Sequence, residues 1–441
     1  MMRGPGGMPG RPAWQGAATS NEDWYHVVKH AVDSSGVRPA VQPPFFLINL
    51  LKAGAAQLIV LHHLAFYGPM ADHARVLVPE LIDWLHDDAR IAVQVFLVVG
   101  GFLAARSLSP QGRPLAADPL QALWRRYLKL APPFIAAMLL ASLASSLAGA
   151  WMRHDAISAP PTWDQLLAHA LLLHDLLGFD ALSAGAWYVA IDFQLYACLA
   201  LLAWLSGRGP AGLASRCLLP ALVVGGVAAS LLHFNLDAEW DVWAPYFFGS
   251  YGLGVLAWWA GDPARRLDTV ALLLVALLIL PLLALLLGYR SRIAVALVVA
   301  CLLMLCGRVR SPAVAGRATA LVDYLGAISF SIFLVHFPVC LVVNAAFARF
   351  VPEWPPLQAL GVLLAWAASV GAGAAFHRWV EAPLGRVLAP GAGMRLPAVP
   401  GGLSSLVAGG RGNAGLRPPP ARSPAGTGKR PAARSTNSRG T

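Results

Sequence analysis

The chain has 441 residues, of which 57% are apolar and 12% charged, and its mean hydropathy is +0.59. That charged share is about half the ordinary soluble value, which excludes a water-soluble globule and makes the bilayer the natural solvent. The net charge of +11 is concentrated beyond Ala382, where Arg386, Arg395, Arg411, Arg417, Arg422, Lys429, Arg430, Arg434 and Arg439 stand without an acidic residue.

Residues 1–44 are polar, with Gly and Pro clusters and no apolar h-region, so no cleavable signal peptide is expected and the first span serves as the targeting signal. Apolar runs then follow at 45–66, 91–108, 127–149, 187–206, 212–233, 242–260, 267–287, 291–307, 324–348 and 356–376. Each is near the ~20 residues that cross the hydrocarbon core. Trp124, Trp151, Trp187, Trp240 and Trp354 fall near run ends, where an aromatic belt belongs. The weaker stretch 162–181 carries Asp164, His169, His174, Asp175 and Asp180, and reads as an interfacial helix. The expected fold is all-α, a polytopic membrane helical bundle of about ten transmembrane helices. Its domains are a polar tail over 1–44, one transmembrane domain over 45–385 and a disordered basic tail over 386–441.

With the N-terminus cytoplasmic, the connecting loops inside carry about twelve basic residues. Those outside carry about six (Arg75, Arg90, Arg153, Arg290, Arg292 and Arg349). An even number of spans puts the basic tail inside too, where it meets anionic lipid headgroups; without aromatic interleaving it gives no sign of nucleic-acid binding. The five cysteines, Cys198, Cys217, Cys301, Cys306 and Cys340, all lie in apolar runs, so neither a disulfide framework nor a metal site is expected. There is no P-loop, GxSxG or HExxH motif and no internal repeat.

Ionisable groups at membrane depth cost roughly 2.5–3.5 kcal/mol each on insertion scales, which makes them functional candidates. Lys52 and His63 lie eleven residues apart in the first run. Eleven helical steps are about 16 Å and about three turns, so both fall on one face. Each has a plainer reading, a snorkelling lysine and an interfacial histidine, while His62 points to another face. Arg125, Arg126 and Lys129 precede Pro132-Pro133. They are either the positive-inside signature or a phosphate-binding cluster. Asp192, beside Gln194 and Tyr196, either orients a histidine or pairs with a cation. Ser329 and Ser331 suit bonds to their own helix carbonyls, and His336 reads as a packing residue or as a second base. Glu381 reads as a helix-end acid near His377 and Arg378.

Taken in order, these stretches resemble the acyltransferase-3 family of membrane acyltransferases over roughly residues 45–385. The resemblance rests on Lys52 with His63, on VFLVVGGFL at 95–103, on RRYLKLAPPF at 125–134 and on WYVAIDFQLYACL at 187–199. YLGAISFSIFLVHFPV at 324–339 and FHRWVEAPL at 376–384, with its closing Glu-x-Pro, complete it. The chain departs from the family pattern at Lys52 and Lys129 (for arginine), Gly100 (for serine), Gln94 (for an acid) and Asp192 (for glutamate). The resemblance implies a multi-pass protein of the bacterial inner membrane with both termini cytoplasmic. It implies transfer of an acyl group, acetyl by default, from cytoplasmic acyl-CoA to a hydroxyl of an extracytoplasmic acceptor, usually a carbohydrate. Lys52, Arg125, Arg126 and Lys129 are then the expected donor-binding residues, with no metal. His63 is the expected base or acyl carrier, and Asp192 and His336 are further catalytic candidates. A transporter or exporter of a small solute or lipid-linked sugar is the alternative, since broken helices and buried charge serve that too; a silent scaffold is a third.

Overall fold

The computed structural model describes residues 45–115, 117–209, 213–308 and 317–388. The two tails expected from the sequence lie outside these residues, save for 386–388. Among the described residues every regular element is a helix. Eight helical stretches are long and apolar enough to cross a membrane. Ser291–Cys306 is a shorter apolar helix, and Ala244–Gly261 fills the remaining run. Nine of the ten runs each correspond to one helix, and the run 324–348 is divided at Ile328 between Arg317–Ala327 and Ser329–Phe350.

In chain order the helices are α1 (Phe45–Phe66), α2 (Pro69–Ala74), α3 (Pro79–Asp87), α4 (Val93–Leu108) and α5 (Pro119–Trp151). Then come α6 (Trp163–Ala170), α7 (Ala186–Ser206), α8 (Leu213–Leu232), α9 (Ala244–Gly261) and α10 (Leu267–Leu287). The last are α11 (Ser291–Arg308), α12 (Arg317–Ala327), α13 (Ser329–Phe350), α14 (Pro355–Phe376) and α15 (Ala382–Val387).

The centre of the bundle is α9. Nearly every residue of it is buried, glycines and aromatics included, and it packs most extensively on α4, then on α11 and α8. Small residues make the α4–α9 crossing possible. A Cβ on Gly101 would lie 1.8 Å from the Tyr251 carbonyl oxygen, and one on Gly254 would lie 1.9 Å from that of Val98. The opposite case is α10, whose mean hydropathy is 3.2 and which exposes Leu267, Leu272, Leu286 and Leu287 while burying Leu273 and Leu277, as a helix solvated by lipid on one side requires.

Helix α5 begins at an Asp118 cap, whose carboxylate accepts from the Leu120 amide at 3.0 Å, with Pro119 in its first turn. Its 33 residues span about 50 Å, well beyond a hydrocarbon core of about 30 Å. The surplus length carries Trp124 to Lys129 to the rim of the bundle. The stretch 162–181 is helical only as α6. A Thr162 cap starts it, and Leu172 ends it in the left-handed region at φ +59°, turning Leu172 and His174 inward, where both are buried.

Candidate functional site

The first and the thirteenth helices bring two histidines together. His63 Nδ1 lies 2.6 Å from His336 Nε2, and the rings stack at 11° with centroids 4.9 Å apart. Both residues are buried. His336 folds back along its own helix, so that its Nδ1 is 2.8 Å from the Phe333 carbonyl and 3.2 Å from that of Ile332. A carbonyl can only accept, so His336 carries its proton on Nδ1 and offers a lone pair at Nε2. His63 must then donate from Nδ1, which leaves the lone pair of the neutral His63 ring on Nε2. With both rings neutral, this geometry fixes the tautomer of each.

His63 lines a cleft of about 410 Å³. Aromatic walls come from Phe66, Tyr67, Trp187 and Phe333, and polar groups from His62, His86, Asp87 and Arg90. Ala184 and Gly185 close the side where the loop before α7 enters. His62 belongs to this cleft despite its different helical face, and its Nδ1 donates to the Leu85 carbonyl at 2.9 Å. His86 and Asp87 pair at 2.7 Å. Sequence reasoning missed Tyr67, His86, Asp87, Arg90 and Phe333. The run HDDAR at 86–90, polar residues packed against the start of a span, was the available signal.

Toward the other end of α1 the groups are charged. Arg126, reaching in from α5, donates to the Asp192 carboxylate of α7. Its guanidinium also sits 5.2 Å from the Tyr196 ring centroid. Around this pair, Arg126 Nε and the Tyr251 hydroxyl are buried without a partner. Gly100 leaves room here, because a Cβ would lie 3.4 Å from Asp192 Oδ1 and 3.3 Å from the Tyr251 ring. Among the described residues no hydrogen bond or ion pair joins Asp192 to either histidine of the pair. Lys52 is half-buried and in electrostatic range of Lys129 and Glu381. Lys129 also feels Arg126 and Asp192, while Arg125 is exposed at the rim.

Glu381 is not the simple helix-end acid that its position suggests. Ser331, buried on α13, donates its hydroxyl to the Glu381 carboxylate rather than to its own helix. Ser329 does bond back, to the Gly326 carbonyl at 2.9 Å. His377 Nδ1 is 3.0 Å from the same Glu381 oxygen. The carboxylate is held by a π-turn over His377–Glu381, in which the Ala382 amide bonds to the His377 carbonyl five residues back. Pro383 explains the widened turn: it has no amide to give the Trp379 carbonyl, and its ring would clash there.

The sequence-predicted residues thus form two constellations, His63 with His336, and Arg126 with Asp192 beside Lys52, Lys129 and Glu381. Compared with known proteins, residues 46–372 match the model of the Acyl_transf_3 family, described as an acyltransferase domain. No curated protein matches the chain, and no solved structure does.

Proposed function

Because the chain belongs to the acyltransferase-3 family, with the family match spanning residues 46–372, we propose that it moves an acyl group, acetyl in the simplest case, from acyl-CoA to an acceptor hydroxyl across the membrane. The donor enters from the cytoplasm at the Lys52 end. The acceptor, a sugar hydroxyl of a surface or secreted glycan, enters the cleft at the His63 end. The protein is then a multi-pass enzyme of the bacterial inner membrane with both termini cytoplasmic.

The observation that carries this reading is the His63–His336 pair at the wall of the cleft. Neutral His63, with its Nε2 lone pair free, takes the proton of the acceptor hydroxyl as that oxygen attacks the thioester carbonyl. The positive charge on His63 is shared through Nδ1–H with His336 Nε2. When the tetrahedral intermediate collapses, the C–S bond breaks and the thiolate takes the proton back from His63. The products are an ester and free CoA. The aromatic walls with a few polar groups suit a sugar ring, which presents apolar faces and hydroxyl edges. Lys52, Lys129 and Arg125 supply cations for the donor phosphates, with Arg126 close by but already bound to Asp192. Lys52 and His63 stand about 16 Å apart along α1, a distance the flexible pantetheine arm has to bridge.

The test is acetyl-CoA turnover by the full chain in nanodiscs, with a glycan extract as acceptor, for the parent and for His63→Ala. A positioned general base contributes ~10²–10⁴-fold, and a loss of that size in a folded variant is expected. Equal CoA release by both would remove His63 from the chemistry.

A further inference from the structure

The chain widens into a π-turn at His377–Glu381, and single π-turns inside α-helices recur at functional positions. What this one does is aim a carboxylate inward. Glu381 accepts from Ser331 of α13 and pairs with His377 at 3.0 Å, and its side chain is 21% exposed. From there it is in electrostatic range of both Lys52 and Lys129, from α1 and α5.

The charge balance of this end is uneven. Arg126 has its counter-charge in Asp192. Lys52 and Lys129 lie in range of one another, half-buried and exposed respectively, and like charges repel most where water is partly excluded. A carboxylate fixed between neighbouring helices offsets that repulsion while no other anion is there. It also takes one unit of positive charge away from whatever anion arrives. If His377 were its whole purpose, a regular helix would serve, since residues four apart already face each other. The extra turn is what carries the carboxylate to Ser331.

We propose that Glu381 is a built-in counter-anion of the donor site, offsetting the charge of Lys52 and Lys129 at longer range in the absence of a ligand and competing there with the phosphates of the CoA moiety. This rests on the reading of the Lys52 end as the donor entrance. The consequence is a site that releases its product: spent CoA leaves because Glu381 replaces its charge.

The experiment is binding of free CoA to the full chain in nanodiscs by titration calorimetry, at about 50 and about 300 mM salt, alongside steady-state turnover. With Glu381→Gln, which keeps the shape and removes the charge, CoA is expected to bind about fivefold more tightly at low salt, with the gain shrinking at high salt as screening predicts. KM for acyl-CoA should fall, and kcat should fall with it as release slows. Glu381→Asp, which keeps the charge, should bind CoA as the parent does. Pro383→Ala lets the turn relax to a regular helix and withdraws the carboxylate without deleting it. It should tighten CoA as well, and it stands in should Glu381→Gln fold poorly. Unchanged or weaker CoA binding in both variants, with the parent binding CoA, overturns the counter-anion and leaves the donor entrance intact. A parent chain that does not bind CoA removes the donor entrance and the counter-anion together.

Discussion

The two ends of the site handle polarity in opposite ways. At the His63 end two neutral rings satisfy each other and a backbone carbonyl, so the arrangement is fixed by directional hydrogen bonds. At the Lys52 end the groups are charged, only partly paired, and spread over α1, α5, α7 and the turn before α15. In the proposed reaction the first end holds one geometry, as proton transfer requires, and the second exchanges counter-ions, as binding and releasing a polyanion requires. Substitutions should therefore fail differently at the two ends, in the chemical step at one and in donor binding or stability at the other.

The largest expected effect is at His336. His336→Phe keeps the ring volume but removes the acceptor for the His63 Nδ1–H. His63 then loses the bond that sets its tautomer, and the charge it gains during reaction loses its partner. Turnover should drop about 10²-fold or more, within the span set by general-base catalysis, while the thermal midpoint stays close to that of the parent. A Phe variant with parental kcat would reduce His336 to a packing residue.

Next comes the ion pair. Asp192→Ala strands the Arg126 guanidinium among Tyr196, Tyr251 and its own unpartnered Nε. Removing one partner of a buried pair costs about 3–5 kcal/mol, because the remaining charge is left uncompensated. The measurement is the unfolding midpoint in detergent, which should fall sharply. Asp192→Ala combined with Arg126→Leu should recover much of the loss. If the double variant is no more stable than the single one, the pair is not what holds α5 to α7.

This split also marks what could be read from the sequence. Nine of the ten apolar runs map onto single helices and 324–348 onto parts of α12 and α13, because burial in lipid and burial in protein both demand apolar side chains. Lys52 and His63 could be placed on one face from helical period alone. What partners they would meet could not. His63 and His336 are 273 positions apart, and nothing local in FSIFLVHFPV distinguishes a histidine facing another histidine from one that fills space. Asp192 was left open between a histidine and a cation, and only packing chose Arg126. Glu381 meets His377, as its place in the sequence suggests, and the widened turn at Pro383 also brings its carboxylate to Ser331 of α13, which the pattern of 376–384 does not disclose. The stretch 162–181 reads from its sequence as one interfacial helix, weakly apolar and carrying several Asp and His residues. The chain instead breaks at Leu172, which takes the left-handed region, and Leu172 and His174 are buried.

That broken segment gives the smallest effect, and it sharpens the comparison by placing a titratable pair outside the spans. His174 is fully buried, stacks on His169 with centroids 4.0 Å apart, and faces the Phe134 ring. His169 is satisfied, by the Gln165 carbonyl and the Leu182 amide. The Asp175 carboxylate lies 3.4 Å from His174 Nε2. Burial, helped by His169, pushes His174 down to about 3, whereas burial and Asp241 push Asp175 up to about 6. The two act on stability in opposite senses. A histidine depressed in the fold stabilises it above about 6.5 and loses that contribution as pH falls toward 3. A carboxyl raised in the fold gains stability as pH falls through 6 toward the ordinary value near 3.8. Between about pH 6 and pH 4 the contributions offset, so the segment should be almost insensitive to pH there. Asp175→Asn removes one side of that balance. Hydrogen exchange of the Leu171–Phe179 amides, corrected for the intrinsic rate, should then quicken from pH 6.5 to pH 4.5 in the variant and hold steady in the parent. The same pH response in both would mean that Asp175 does not titrate with the fold.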